Sequence, residues 1–183
     1  AAVGLLDRPT PGNYLTEWTD HFAQPKRAEE LDTESAVIFR LGGEWLALAT
    51  HVVSEVTHVL KIHSLPHRRA GVVMGLASVR GELVVCVSLA HILGVAGEET
   101  ARESLRVRQA RLLVIRRDDV RLVCPVDEVY GIYRFQPLEL HEVPATVMKA
   151  TASYSKALLP WKNRSVGLLD DQKLFATLRR SIA

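Results

Sequence analysis

LPHRRAGVVMGLASVRGELVVCVSL, residues Leu65 to Leu89, carries the strongest structural signal in the chain. An apolar run from Val72 to Leu76 and another from Leu83 to Val87 flank Ser78-Val79-Arg80-Gly81. Runs of this length, rich in Val and bounded by turn residues, predict the two strands of a hairpin. Gly81 admits the positive φ that a two-residue hairpin turn needs, so Arg80-Gly81 is the expected turn. An Arg fixed at such a corner presents a planar fork of donors suited to a carboxylate. Ahead of the first run, Leu65 to Ala70 reads as a proline-led basic turn.

Similar hairpins lie on either side. Ala36 to Leu41 and Glu44 to Ala49 flank Gly42-Gly43, a strong two-residue turn signal. Arg111 to Arg117 and Val120 to Val126 flank Asp118-Asp119, and Val129 to Phe135 is a further strand. A last hairpin is expected from Val166 to Leu169, Asp170-Asp171 and Lys173 to Leu178. Between these, Val52, Val53, Val56, Val59 and Leu60 share a helical face, so residues 51–60 read as a short helix. Gly94 is placed to cap a brief helical turn after Leu89. Residues 97–109 and 141–160 lack a clear period and read as loop. The first and third hairpins each lead into a Val-x-Glu-Val segment, Val53 to Val56 and Val126 to Val129. This weak repeat favours a duplicated β-unit, and short strands with frequent turns favour small barrels or a sandwich.

At 183 residues the chain can hold one domain with a sizeable core or two small subdomains. Hydrophobic residues make up 48% and charged residues 24%, which fits a globular protein, and no window approaches the roughly 18 apolar residues of a membrane span. The start, AAVGLLDRP, shows no basic region followed by an apolar one, so no signal peptide is expected, and the missing initiator Met suggests processing. Cys86 and Cys124 fall in apolar runs without metal-type spacing, as buried thiols in a reducing cytoplasm would. Residues 1–35 hold 3 basic and 7 acidic residues, whereas residues 36–183 hold 20 basic and 14 acidic. That break, with a shift from Pro-, Gly- and polar-rich sequence to apolar runs, divides an N-terminal extension (1–33) from a folded domain (34–183). Within the extension, Asn13 to Phe22 has an N-cap and Tyr14, Leu15, Trp18 and Phe22 at helical spacing, predicting a short amphipathic helix. So short a helix needs a surface to be stable, either the domain's own flank or a partner.

Catalytic signatures are missing from the sequence. His63 and His67 are separated by Pro66, which forbids the shared helical face a metal pair would use, and His51 and His58 lack a third ligand. There is no Gly-x-Ser-x-Gly, phosphate loop or dinucleotide fingerprint. No catalytic residue, metal or cofactor is expected. Arg102 to Arg121 carries seven Arg against three acids, yet no Phe, Tyr or Trp that would serve as a stacking platform for nucleic acid. A solvated loop and a charge-protected edge strand account for it better.

The proline-led segment, Gly75, the Arg80-Gly81 turn and the Val-rich strand after it resemble the core signature of the CheW family, the coupling proteins of bacterial chemosensory arrays. The resemblance covers about residues 36 to 180. It implies a mainly β fold of two small five-stranded SH3-like barrels packed side by side, with short helices. It also implies a scaffold without chemistry of its own, binding the regulatory domain of a CheA-type histidine kinase and the cytoplasmic tip of a chemoreceptor. The membrane would be met only through receptors, and nucleic acid not at all. Matched family positions give Val53, Glu55, Val56, Gly75 and Arg80 as candidate partner-binding residues. Val53 and Val56 would supply apolar contact, Gly75 close backbone approach, and a Glu55–Arg80 ion pair polar orientation. The chain departs from the family at Ser88-Leu89-Ala90, where an Asp, Leu and a basic residue are common, and at Leu174 to Leu178, where an apolar strand commonly ends in an acid. Tyr14-Leu-Thr-Glu-Trp18 resembles the divergent couplers of Wsp-type surface-sensing systems. A nucleic-acid-binding double barrel and a small hydrolase are the alternatives.

Overall fold

The computed structural model of the chain describes residues 33–65, 71–95, 109–144 and 150–182. The N-terminal extension apart from Thr33, with its expected helix and Wsp-like segment, lies outside them. So do the turn at 66–70 and most of the charged loop at 97–109.

Each expected hairpin of the first two-thirds of the chain forms. Strand β1 (Glu34–Leu41) pairs antiparallel with β2 (Glu44–Ala49), β5 (Val73–Val79) with β6 (Glu82–Val87), and β7 (Arg111–Arg117) with β8 (Val120–Val126). At the β5–β6 turn Arg80 has φ 51° and Gly81 φ 84°. Positive φ at both central residues marks the type I′ turn, whose twist matches that of the strands it joins. Ser88 ends β6 by accepting a hydrogen bond from the His91 N–H, which starts the one-turn helix α1 (Leu89–Ile92).

Three expectations are corrected. Residues 51–60 form a 3-10 turn, Thr50–Val52, followed by strand β3 (Val53–His58). There Val53, Glu55 and Thr57 are half-buried, whereas Ser54, Val56 and His58 are exposed. This period of two suits the β-branched residues better than a helix does, and β3 pairs antiparallel with β7. The stretch 141–160, expected as loop, contains helix α2 (Ala150–Tyr154) and most of strand β10 (Ser155–Trp161). Consequently the last hairpin is β10 with β11 (Arg164–Leu169), turning at Lys162-Asn163 with φ 44° and 58°. Lys173 to Leu178 lies instead in helix α3 (Asp171–Ile182), capped by Asp170, whose carboxylate accepts from the Lys173 N–H at 3.1 Å. Leu174, Phe175 and Leu178 form its buried stripe.

The strands form two sheets. One runs β10-β11-β2-β1-β9, with β9 spanning Glu128–Phe135. The other runs β3-β7-β8-β6-β5-β4, where the two-residue β4 (Ile62–His63) adds a sixth strand to the five expected. β3 leaves the β1–β2 hairpin to join the second sheet, and β9 leaves β7–β8 to join the first, so the second sheet is the continuous run β3–β8 and the first combines β1–β2 with β9–β11. The parallel contacts match as well: Leu46 faces Gly167 in one sheet and Leu122 faces Val85 in the other. The duplication seen in the sequence is therefore real, but its register differs. Phe39 pairs with Val129 and Ile115 with Val53, which makes Val129, and not Val126, the counterpart of Val53.

Central strands bury both faces, which explains why their sequences are nearly continuous apolar runs. In β1, Ala36 and Ile38 face the first barrel's interior with Leu159, Trp161 and Val166, while Val37, Phe39 and Leu41 enter a central core. In β7, Leu112 and Val114 face the second barrel's interior with Val79 and Cys86, while Leu113 and Ile115 enter that same central core. Leu174, Phe175 and Leu178 of α3 complete the seam. One shared apolar layer thus joins the two barrels.

Candidate functional site

The second sheet curls so that its two ends approach, and an ion pair bridges them. Arg80, at the β5–β6 corner, places Nε 2.9 Å from Glu55 Oε2 on the edge strand β3. The Glu55 side chain is 19% exposed and that of Arg80 is 77% exposed. The carboxylate is thus fixed in the barrel wall while most of the guanidinium faces solvent, with donors left over. The left-handed φ of Arg80 is unusual for a residue with a side chain and holds the base of that side chain at a rigid turn.

The other three candidates separate into outward and inward positions. Val56, next to Glu55, is 42% exposed, and β6 exposes Leu83 at 69% close in sequence to the Arg80 turn. Val53 is half-buried against the central core. Gly75 is buried, with φ 149°, and a Cβ there would lie 2.2 Å from the His63 carbonyl oxygen. The close backbone approach expected at Gly75 is made by the chain's own β4. The structure therefore brings Glu55 and Arg80 together on one outer corner, with Val56 exposed on the opposite face of β3 and Val53 and Gly75 shaping the strands behind.

Sequence reasoning missed Asp127, a carboxylate only 4% exposed at the crossing from β8 to β9. Its Oδ2 accepts from the Gly42 N–H at 2.6 Å and lies 3.6 Å from Arg40 Nη1, and Glu128 Oε2 lies 3.3 Å from Arg40 Nε. This network ties the β1–β2 turn to the crossover strand. An Asp at the end of an apolar strand was its only signal in the sequence.

Elsewhere the chemistry is structural. His51, Ser54 and Asp171 line an open depression together with Arg116, Arg117 and Asp118. Asp171 is paired with Arg117 and lies 3.6 Å from His51, but no hydrogen bond joins Ser54 to His51 among the described residues, so no nucleophile–base pair is assembled. Within the Arg-rich stretch, Arg117 and Arg121 pair with Asp171 and Glu82. Burial pushes the Cys86 thiol up to about 12 and the Cys124 thiol well above its usual range, so both are protonated and unreactive at neutral pH. Among the described residues no group of three metal-ligating side chains occurs, and no helix is long and apolar enough to cross a membrane.

The two fused barrels present a fixed acid–base corner at the β5–β6 turn. The chain belongs to the CheW-like domain family, which it matches over residues 35–179. Members of this family are scaffolds and not enzymes. It is 34% identical over 111 residues to Protein PilI of Pseudomonas aeruginosa, an alignment covering 61% of this chain and 58% of PilI. The chain thus spans somewhat over half the length of that relative. The fold matches the scaffolding protein TtCheW from Thermoanaerobacter tengcongensis with a TM-score of 0.61 at 16% identity, covering 75% of this chain and 88% of TtCheW.

Proposed function

We propose that the chain couples a CheA-type histidine kinase to the cytoplasmic tip of a chemoreceptor, working in the cytoplasm and reaching the membrane only through the receptor. The observation that carries this reading is the Glu55–Arg80 corner. A half-buried carboxylate orients a 77% exposed Arg, and Val56, next along the strand, is exposed too. Arg is enriched among residues that dominate interface energetics, and here its geometry is set before a partner arrives, which lowers the entropic cost of docking. In this reading Glu55, Val56 and Arg80 face the partner. Val53 supplies apolar surface at the start of β3, and Gly75 allows β4 to lie close behind the corner.

Titration of the full chain with a purified kinase regulatory domain, and separately with a receptor-tip hairpin, tests the proposal. Saturable binding of each is the expected result. Failure of both to bind a chain that melts cooperatively would remove the coupling role.

A further inference from the structure

The two barrels repeat in register, so their closing seams can be compared position by position. With Leu46 facing Gly167 and Leu122 facing Val85, the Lys162-Asn163 turn of the first barrel stands where Arg80-Gly81 stands in the second. By the same register Arg164 occupies the place of Glu82, and Trp45 that of Arg121. Gly131, opposite Ile38, occupies the place of Glu55, opposite Val114.

In the second barrel both cations of this corner meet carboxylates, Arg80 with Glu55 and Arg121 with Glu82. In the first barrel the two acids are replaced by a glycine and an arginine. Lys162 Nζ instead lies 4.0 Å from the centre of the Tyr130 ring and 5.0 Å from that of Trp161, and the Arg164 guanidinium lies 5.7 Å from the Trp45 ring. Tyr130 meets Trp161 edge-on at 4.6 Å, and Trp45 lies 5.0 Å from Trp161. Neither Lys162 nor Arg164 is paired with a carboxylate among the described residues. An aromatic face holds a cation through its quadrupole but does not neutralise it. The corner therefore keeps two positive charges on a rigid aromatic base. Beside it Tyr130 is 49% exposed.

The geometry points to a second docking corner, on the first barrel, for an acidic protein segment. Its carboxylates neutralise Lys162 and Arg164, and an apolar side chain covers Tyr130. The charge left unmatched among the described residues here, and matched at the equivalent place in the other barrel, points to an anionic ligand. The burial of Trp161, which is 7% exposed and offers no open ring face for a base, favours a peptide over a nucleic acid.

The test is amide and indole chemical-shift mapping of the full chain with a synthetic peptide alternating Glu or Asp with Leu. Saturable shifts at residues 130–132 and 161–164 and at the Trp45 and Trp161 indoles are expected. Lys162→Glu with Arg164→Glu should weaken binding by about tenfold or more, a change of about 1.4 kcal/mol. Lys162→Arg with Arg164→Lys should retain it. If the charge reversal disturbs folding, Lys162→Gln with Arg164→Gln replaces it. The inference is overturned if no shifts appear at the corner up to millimolar peptide, or if they persist unchanged in the charge variants. A single-stranded oligonucleotide that binds there more tightly than the peptide overturns it as well. Shifts that follow protein concentration alone would assign the corner to a second copy. Shifts at residues 13–22 caused by the charge reversal without peptide would assign it to the chain's own acidic extension. Either assignment overturns the inference.

Discussion

Gly75→Ala measures how firmly the β4 edge is built into the second barrel. The residue sits at φ 149°, where a side chain is rarely tolerated, and that strain alone costs roughly 1–3 kcal/mol. A Cβ would also lie 2.2 Å from the His63 carbonyl oxygen and 2.8 Å from its carbon. Because ordinary contact begins at 3.4 Å, β4 would have to retreat by about 1 Å. That movement breaks the pairing of Ile62 with Ala77 and His63 with Leu76, at about 1 kcal/mol for each hydrogen bond lost. The expected total is about 3–5 kcal/mol, or a melting temperature lowered by roughly 6–20 °C for a domain of this size. Gly131→Ala is the internal control. Its φ of 134° carries similar strain, but nothing lies within 4 Å of the added Cβ. Urea and thermal unfolding of both variants, with hydrogen exchange at Ile62 and His63, separate the two effects. If Gly75→Ala is no more destabilising than Gly131→Ala, the close packing of β4 is not what requires the glycine.

Asp127→Ala removes the acceptor for the Gly42 N–H and leaves Arg40 with Glu128 and the Gly42 carbonyl, and should cost about 2–4 kcal/mol in urea unfolding, with Asp127→Asn recovering part of it. Phe39→Ala opens a cavity in the shared core at a fully buried position, so a loss of about 3–5 kcal/mol with both sheets unfolding in one transition is expected; two separated transitions would show that the barrels are not joined by that core. The thiols give a pH prediction. Their raised folded-state pKa means that the native protein holds protons the unfolded chain releases. Stability is therefore full below about pH 9 and falls between there and about pH 12, by about 1.4 kcal/mol per pH unit for each titrating thiol. Cys86→Ala should flatten that fall in equilibrium unfolding, and thiol reagents at neutral pH should label only the unfolded chain.

The parts of the fold read correctly from sequence are those where a local rule and the tertiary structure agree. Arg80-Gly81 and Gly42-Gly43 lie between apolar runs, and turn chemistry alone locates them. Residues 51–60 misled because the apolar positions Val52, Val53 and Val56 fit a helical period, although two of those side chains pack inward for a different reason. Val52 closes a 3-10 turn and Val53 starts a strand, so the apparent period spans two elements. The C-terminal error began at Asp170, which reads as a hairpin turn but serves as a helix cap. Only the buried stripe of Leu174, Phe175 and Leu178 distinguishes the two. At the site, the Glu55–Arg80 pair was legible because family resemblance supplied a long-range contact that spacing could not. The Lys162 corner was not, since it depends on Tyr130, Trp45 and Trp161 meeting from three strands distant in sequence.

Arg80→Ala addresses the coupling claim most directly, because folding and binding make different demands on this residue. An ion pair whose Arg side chain is 77% exposed contributes under about 1 kcal/mol to folding, so the melting temperature should barely move. Loss of an Arg anchor from an interface commonly costs about 2 kcal/mol or more, roughly a thirtyfold loss of affinity. The decisive measurement is kinase-domain and receptor-tip affinity set beside thermal melting for the same variant. The account predicts native melting with binding weakened at least tenfold to one of the two partners; undiminished binding to both would contradict it.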